Sequence, residues 1–302
     1  MKSDINHSHN HSHIPNFNKA FAIGIALNVI YIIVEFTYGL AINSMALIAD
    51  AGHNLSDVLG LLLAWIASHL AQSIPTRTRT YGLRKSTILA ALFNAVILLI
   101  AVGAITVEAI RKFVEPEPVA GNVIMIVAGI GVFINTITAL LFIGGRKKDL
   151  NIKGAFLHMA ADAAVSLGVV IAGLTISLTN WYWIDPVISL IIVVVITAGT
   201  WGLLKESFLL SMDAVPKNID VDAVMNYLKS IKGVTEVHDL HIWAMSTTET
   251  ALTAHLVMPQ SHNDDLFLKR VCSQLHEKFG IEHSTIQIEK NAQNSNCEID
   301  KV

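Results

Sequence analysis

The chain has 302 residues, of which 53% are hydrophobic and only 15% are charged, and its mean hydropathy is +0.53. These values exclude an ordinary large soluble domain and favour a polytopic membrane protein. The net charge of -3 excludes a strongly basic nucleic-acid-binding protein.

The chain starts with a polar segment at residues 1–16, in which histidine recurs at every second position among Ser and Asn. The histidines are His7, His9, His11 and His13. This composition predicts a disordered tail. Alternate histidines bind transition metal ions weakly, so incidental metal affinity and a role in metal delivery or sensing both stay open. The tail does not resemble a cleaved signal peptide, because the apolar run after it is long enough to remain as a transmembrane helix.

Six apolar segments follow the tail, and each is long enough to span a bilayer. They lie at roughly 17–39, 42–72, 86–112, 119–143, 153–178 and 184–204. Lys and Arg accumulate after the second, fourth and sixth segments, and such positively charged loops face the cytoplasm. We therefore predict a transmembrane domain of six helices at residues 17–206, with both termini in the cytoplasm.

Residues 207–290 return to the charge density of a soluble fold. Their pattern predicts a helix at 220–231, strands at 234–245 and 250–258, a helix at 264–279 and a strand at 284–289. This αββαβ order favours a small α+β domain of ferredoxin-like type, followed by a flexible tail at residues 291–302. The sheet would have an open face and free edges, and dimerisation would cover them.

Two His-Asp pairs lie inside the apolar segments. His53 and Asp57 lie in the second segment, and His158 and Asp162 lie in the fifth. Residues four apart share one face of a helix, so each pair offers an imidazole nitrogen and a carboxylate oxygen to a common point. One polar residue within a membrane often makes only a helix–helix hydrogen bond. Two copies of an ionisable pair instead predict a buried tetrahedral site for a divalent ion such as zinc.

Longer stretches of sequence resemble a known family. They are the segment SMALIADAGHNLSD at residues 44–57, the repeat from His158 to Asp162, Asp185-Pro186 at the start of the sixth segment, and VHDLHIW at residues 237–243. From Phe17 to Glu289, the chain resembles the cation diffusion facilitator family of zinc transporters, in its CzcD-like bacterial branch. In that family the second and fifth spans supply the membrane metal site.

The resemblance implies a homodimer that exchanges metal ions for protons and binds zinc in its cytoplasmic domain. Ligands of cytoplasmic zinc sites in related transporters correspond here to His238, His255, His283 and Glu289. The resemblance also suggests a charge pair between Lys85 and Asp213 that links the membrane and cytoplasmic domains.

Three further polar residues, His241, Glu35 and Asp50, lie in the predicted strands and membrane helices. Regular strand alternation would place His241 on the opposite face from His238, which excludes both from one simple site. Glu35 and Asp50 lie in apolar segments, where they could line a proton or ion path or make structural hydrogen bonds; both interpretations stay open.

These features predict a secondary active transporter, not an enzyme, in a bacterial plasma membrane. It would export Zn2+, with Cd2+ and Co2+ as further candidate ions, in exchange for H+, by alternating access around the two His-Asp pairs. Zinc would be both the transported substrate and a regulatory ligand. The alternatives are a passive metal channel, a membrane-bound metal sensor and an intramembrane zinc enzyme, although four protein ligands would leave an enzyme no open coordination position.

Overall fold

The computed structural model describes residues 17–142, 150–260 and 265–291. The predicted histidine-rich tail at residues 1–16 lies outside the described residues. Most of the predicted C-terminal tail, at 292–302, and the basic residues Arg146, Lys147 and Lys148 also lie outside them.

Helices occupy most of the chain up to residue 211. They are α1 (Phe17–Ala41), α2 (Met45–Ala71), α3 (Ser86–Val114), α4 (Gly121–Phe142), α5 (Leu150–Thr179) and α6 (Ile184–Ser211). Asparagine with positive φ follows α1 at Asn43 (57°) and α5 at Asn180 (56°). Asparagine tolerates this left-handed conformation, so one helix can end and the next can begin within a few residues.

The described helices have the composition of membrane spans. Five of them, α2 to α6, are long and apolar enough to cross a bilayer, and α1 adds the apolar segment Ala26–Ala41. A C-terminal domain with a small mixed sheet follows them. The predicted fold class, a helical membrane domain followed by a small α+β domain, is confirmed.

The chain forms two compact units. The first contains residues 1–58 and 101–196, and the second contains residues 59–100 and 197–302. Each of α2, α3 and α6 therefore contributes residues to both units.

Within the first unit, glycines allow close contact between α4 and α5. A Cβ atom on Gly121 would lie 2.6 Å from the carbonyl oxygen of Gly173, and one on Gly173 would lie 2.7 Å from the backbone nitrogen of Met125. Neither position has space for a side chain. Helices in a bilayer associate through such close packing, because lipid offers no hydrophobic driving force between them.

A carboxylate from α6 holds the N-terminus of α2, also within the first unit. Asp185 accepts hydrogen bonds from Ser44 Oγ (2.5 Å) and from the backbone N–H groups of Met45 (2.6 Å) and Ala46 (3.3 Å). The first N–H groups of a helix have no partner within it, and negative charge is favourable at that end. Asp185 therefore fixes the position at which α2 begins.

The second unit contains the C-terminal α+β domain, whose elements follow the predicted order. They are α7 (Val221–Ser230), β1 (Glu236–Ala244), β2 (Thr250–Val257), α8 (Asp265–Phe279) and β3 (His283–Glu289). β2 is central in the sheet; it pairs antiparallel with β1 and parallel with β3. The helices and strands share one apolar core, which includes Leu228 of α7, Leu252 and Leu256 of β2, and Leu275 of α8.

β1 contains a bulge at Asp239. His238 pairs with His255 of β2, whereas His241 pairs with Thr253, so one extra residue of β1 lies between the two pairs. Asp239 has a φ of 50°, in the left-handed region that Asp tolerates better than most residues. A bulge of this kind leaves one residue out of the ladder and shifts the side-chain alternation beyond it.

The bulge corrects one sequence-based expectation. Val237 and Ile242 are five residues apart, yet both are buried in the core of the domain. Because strand alternation has a period of two, only the extra residue can bring both to the same face. His238 and His241 consequently share the other face of the sheet, contrary to the prediction that they lie on opposite faces.

Candidate metal centres

His53 and Asp57 on α2 face His158 and Asp162 on α5, and we call these four residues the helix cluster. His53 Nε2 lies 3.9 Å from Asp57 Oδ2 and 3.4 Å from Asp162 Oδ1. His158 Nε2 lies 3.2 Å from Asp57 Oδ2 and 3.6 Å from Asp162 Oδ2. Each imidazole thus contacts both carboxylates.

The spacing within the helix cluster fits a shared metal ion. Ligand atoms bound to tetrahedral zinc at their usual bond lengths are separated by about 3.3 Å. The four nitrogen–oxygen separations, from 3.2 to 3.9 Å, are close to that value. The ligand atoms of His53, Asp57 and Asp162 all lie within 4.8 Å of one another, and His158 lies just outside this compact set.

The two carboxylates of the helix cluster are buried to different extents. The Asp162 side chain is only 4% exposed, whereas that of Asp57 is 33% exposed, although its Oδ2 atom is buried without a hydrogen-bond partner among the described residues. The contact of Asp57 with His158 lacks hydrogen-bond geometry despite its short distance. A buried carboxylate oxygen without a partner is unfavourable, and a bound cation would compensate it.

Three residues from neighbouring strands form a second group, the sheet cluster, which consists of His238, His255 and Glu289. His238 Nε2 lies 3.3 Å from Glu289 Oε2, and His255 Nδ1 lies 3.0 Å from Glu289 Oε1. The three ligand atoms lie within 4.8 Å of one another. Glu289 is largely buried, and neither its Oε2 nor His238 Nδ1 has a hydrogen-bond partner among the described residues.

His283, expected as a further ligand, does not join the sheet cluster. It lies six residues before Glu289, a distance of about 20 Å along a strand, and the register places Gln287 beside His255. His283 Nε2 instead lies 3.0 Å from Arg84 Nη1. The sheet cluster therefore brings together three of the four candidate ligands, and His283 lies apart from them.

Comparison with known proteins identifies the family of this chain. Residues 21–210 match the family model described as the cation efflux transmembrane domain, and residues 216–291 match the one described as the cation efflux protein, cytoplasmic domain. The chain belongs to the cation efflux family.

Proteins from several bacteria are similar to this cation efflux protein over most of its sequence and most of their own. The cadmium, cobalt and zinc/H(+)-K(+) antiporter of Bacillus velezensis is 35% identical over 95% of this chain and 93% of its own length. Zinc transporter ZitB of Escherichia coli is 34% identical, with coverages of 94% and 91%. Metal cation efflux system protein CzcD of Cupriavidus metallidurans is 34% identical, with coverages of 93% and 89%. The chain is an integral membrane protein of a transporter family, not an enzyme.

The cation efflux transmembrane domain also buries Glu35 and Asp50. Tyr31 donates a hydrogen bond to Glu35 Oε1 (2.6 Å), and Asn54 donates one to Glu35 Oε2 (3.5 Å). Ser166 donates to Asp50 Oδ2 (3.1 Å), whereas Asp50 Oδ1 has no hydrogen-bond partner among the described residues. The two carboxylates are neighbours, and both side chains are fully buried.

Two ion pairs connect the segment before α3 with the C-terminal region of this cation efflux protein. Lys85 Nζ lies 2.5 Å from Asp213 Oδ1, the pair that the sequence suggested. Arg84 Nη1 lies 2.8 Å from Glu249 Oε2 in the turn between β1 and β2. No sequence pattern pointed to the second pair, because Glu249 is one of several acidic residues in polar turns.

Sequence reasoning also missed Asp239, although a signal for it was present. Its Oδ1 accepts a hydrogen bond from His241 Nε2 at 2.8 Å, and its Oδ2 lies 3.4 Å from His255 Nε2. The hydrogen bond from His241 lowers the pKa of Asp239, so this carboxylate stays ionised at neutral pH. Regular alternation from Val237 would direct Asp239 into the apolar core, and a charged residue at such a position is a sign of a bulge.

Proposed function

We propose that the chain exports Zn2+ from the cytoplasm in exchange for protons, and that the helix cluster binds the transported ion. One observation carries this proposal: two imidazoles and two carboxylates from two membrane helices contact one another at 3.2–3.9 Å. Ionisable groups at membrane depth are costly, so such a cluster favours a functional site over a structural one.

The chemistry of the helix cluster favours zinc as the substrate. Two nitrogen and two oxygen ligands suit tetrahedral Zn2+, and Cd2+ and Co2+ accept similar ligands. The names of the relatives include all three metals. Because four protein ligands fill the coordination shell, no position remains for the activated water that a zinc hydrolase needs.

Competition between protons and metal for the same ligands supports proton exchange. Imidazole nitrogen binds a metal only after it has lost its proton, and histidine titrates near neutral pH. A site that opens alternately to each side would therefore release zinc where it gains protons. The relative from Bacillus velezensis is named as an antiporter that exchanges zinc with H+ and K+.

Glu35 and Asp50 lie on the proton path in this proposal. Two neighbouring ionisable groups buried inside a membrane domain are costly, so a functional role for them is the default interpretation. Asp50 precedes His53 by three residues, one turn of α2. Glu35→Gln keeps a hydrogen-bonding group of the same size but removes the ionisable proton. We expect this variant to bind zinc normally and to lose proton-driven zinc flux. Unchanged flux would show that Glu35 and Asp50 have a structural role instead.

The sheet cluster would hold a regulatory zinc ion. The buried Glu289 Oε2, which has no hydrogen-bond partner among the described residues, fits a cation-binding role for this group. When bound, the ion would link β1, β2 and β3. His238, His255 and Glu289 supply its ligands, and zinc bound there would raise transport when cytoplasmic metal is high.

The transporter would act as a homodimer in the bacterial plasma membrane, with both termini in the cytoplasm. The family model that matches residues 216–291 is named as a dimer domain, and the relatives described above are bacterial. A three-stranded sheet leaves edges that a second copy would cover. Lys85 and Asp213 would link the membrane domain to this dimerising domain.

Zinc flux into proteoliposomes with an imposed pH gradient tests the transport proposal. Native protein should accumulate zinc against its gradient only while the pH gradient persists. Asp162→Ala removes the most buried ligand and should abolish this flux. Glu206→Ala is the matched control, because this carboxylate pairs with Lys217 outside the helix cluster.

The same measurement separates the alternatives. Zinc flux that does not depend on the pH gradient would indicate a passive channel, and zinc binding without flux would indicate a sensor. Native flux in Asp162→Ala would overturn the assignment of the helix cluster as the transport site.

A further inference from the structure

The contacts of the sheet cluster extend beyond its three members to Asp239. His255 Nδ1 faces Glu289 at 3.0 Å, and the other ring nitrogen, Nε2, faces Asp239 Oδ2 at 3.4 Å. The second oxygen of Asp239 accepts the hydrogen bond from His241 at 2.8 Å. One imidazole therefore lies between two carboxylates, with a different nitrogen directed at each.

The backbone places Asp239 in this position. Without the bulge, strand alternation would direct its side chain toward the apolar core that contains Val237. The extra residue and the φ of 50° instead bring the carboxylate to the face that carries His238 and His255. Asp is one of the few residues with a side chain that adopts this conformation at low cost.

The two nitrogens of a metal-binding imidazole have different requirements. The nitrogen that binds the ion must be free of a proton, so the other carries the N–H group and needs an acceptor. Metal-binding histidines generally donate that N–H to a carboxylate, carbonyl or water, which fixes the tautomer and the orientation of the ring. Asp239 is the carboxylate in the structure that faces His255 Nε2.

We propose that Asp239 is a positioning residue of the sheet cluster: it accepts the Nε2–H of His255 and so presents Nδ1 to the metal ion. This inference rests on the proposed regulatory zinc site. His241 supports Asp239 from the other side, because its hydrogen bond holds the carboxylate in place. Asp239 binds no metal itself; it acts through His255.

The left-handed backbone at Asp239 determines which substitutions are informative. Asp239→Gly removes the carboxylate and suits the positive φ, whereas Ala would add backbone strain. Asp239→Asn also tolerates this φ and retains an uncharged acceptor. Asp222→Asn is the matched control, since it makes the same chemical change on α7, in the same domain but outside the cluster.

Zinc affinity of the full-length protein in detergent, measured by competition with a chromogenic chelator, tests the inference. All proteins carry Asp57→Ala, so that the sheet cluster dominates the titration. We expect zinc affinity to fall about 10- to 100-fold in Asp239→Gly, the range typical for loss of such a partner. Asp239→Asn should lie between Asp239→Gly and the parent protein, and Asp222→Asn should match the parent.

The thermal unfolding midpoint of each metal-free protein separates positioning from simple structural support. A positioning role leaves this midpoint unchanged and reduces only the rise that zinc produces. Parent-like zinc affinity in Asp239→Gly, or a metal-free midpoint that falls along with the affinity, would overturn the inference. His238→Ala tests the underlying site separately: if it binds zinc as the parent does, the proposed regulatory site fails, and this inference with it.

Discussion

The helix cluster and the sheet cluster use the same ligand types but obtain them in different ways. In the helix cluster, two residues four apart on each of two helices come together, and they would supply four ligands to the proposed ion. In the sheet cluster, three strands contribute one residue each, and strand register determines which residues meet. A helix pair is therefore a local property of the chain, whereas a strand site depends on the pairing of distant segments.

The two clusters also differ in how their geometry is maintained. The close α4–α5 contact and the Asp185 cap of α2 support the helices that carry the first cluster. The bulge and its carboxylate support the second. Independent supports imply that each cluster can be disrupted without loss of the other.

The largest expected effect comes from removing one ligand of the helix cluster. Asp57→Ala leaves two imidazoles with one carboxylate. Removing one partner of a buried charged group costs about 3 kcal/mol or more of free energy. We expect zinc affinity at this cluster to fall at least about 100-fold. Equilibrium zinc binding by the full-length protein should show one tight ion fewer per chain.

His69→Ala is the control for this change, because it removes an imidazole from the same helix outside the cluster. Glu289→Ala is the converse variant, and it should empty the sheet cluster alone. Loss of both tight ions in either single variant would show that the clusters are not independent.

The contrast between the clusters explains how much the sequence could predict. A helix repeats every 3.6 residues whatever surrounds it, so His53 with Asp57, and His158 with Asp162, could be paired without a structure. The order of helices and strands along the C-terminal domain was also predictable. It follows from strand alternation and from glycines such as Gly233 and Gly280, which have positive φ after α7 and α8.

Most of what the sequence does not predict depends on strand pairing. The register of β3 against β2, which brings Glu289 to His255, is set by contacts far along the chain. The bulge changes the phase of β1, so alternation alone places His241 on the wrong face and directs Asp239 into the core.

An intermediate effect is expected at the contact between α4 and α5. Gly173→Ala introduces a Cβ atom 2.7 Å from the backbone nitrogen of Met125, so the helices must separate. Such overpacking costs about 1–3 kcal/mol. The thermal unfolding midpoint should fall, and zinc affinity should decrease at the helix cluster but not at the sheet cluster.

Gly168→Ala on the same helix is the matched control, since its Cβ would meet no atom within 4 Å. Alanine favours helix over glycine, so this variant should be neutral or slightly stabilising. Equal destabilisation by both substitutions would show that the α4–α5 contact has no special role.

The smallest effect is expected for the ion pair between Lys85 and Asp213, which lies outside both clusters. The two side chains are 45% and 58% exposed, so the pair contributes about 1 kcal/mol or less to stability. Lys85→Gln should lower the unfolding midpoint slightly, and it should have no effect once Asp213→Asn, which suits the left-handed φ of 60°, has removed the partner charge. A double-mutant cycle on the purified protein measures this coupling energy, and a value well above 1 kcal/mol would contradict the expectation.

The bulge in β1 also determines what a deletion in this strand would change. Deleting Asp239 would leave Val237 and Ile242 four residues apart, so regular alternation would keep both in the apolar core. The strand would lose only its bulge, and with it the carboxylate that faces His255 Nε2. The extra residue of β1 therefore adds nothing that the apolar core needs, and its one distinctive contribution is a carboxylate beside the sheet cluster.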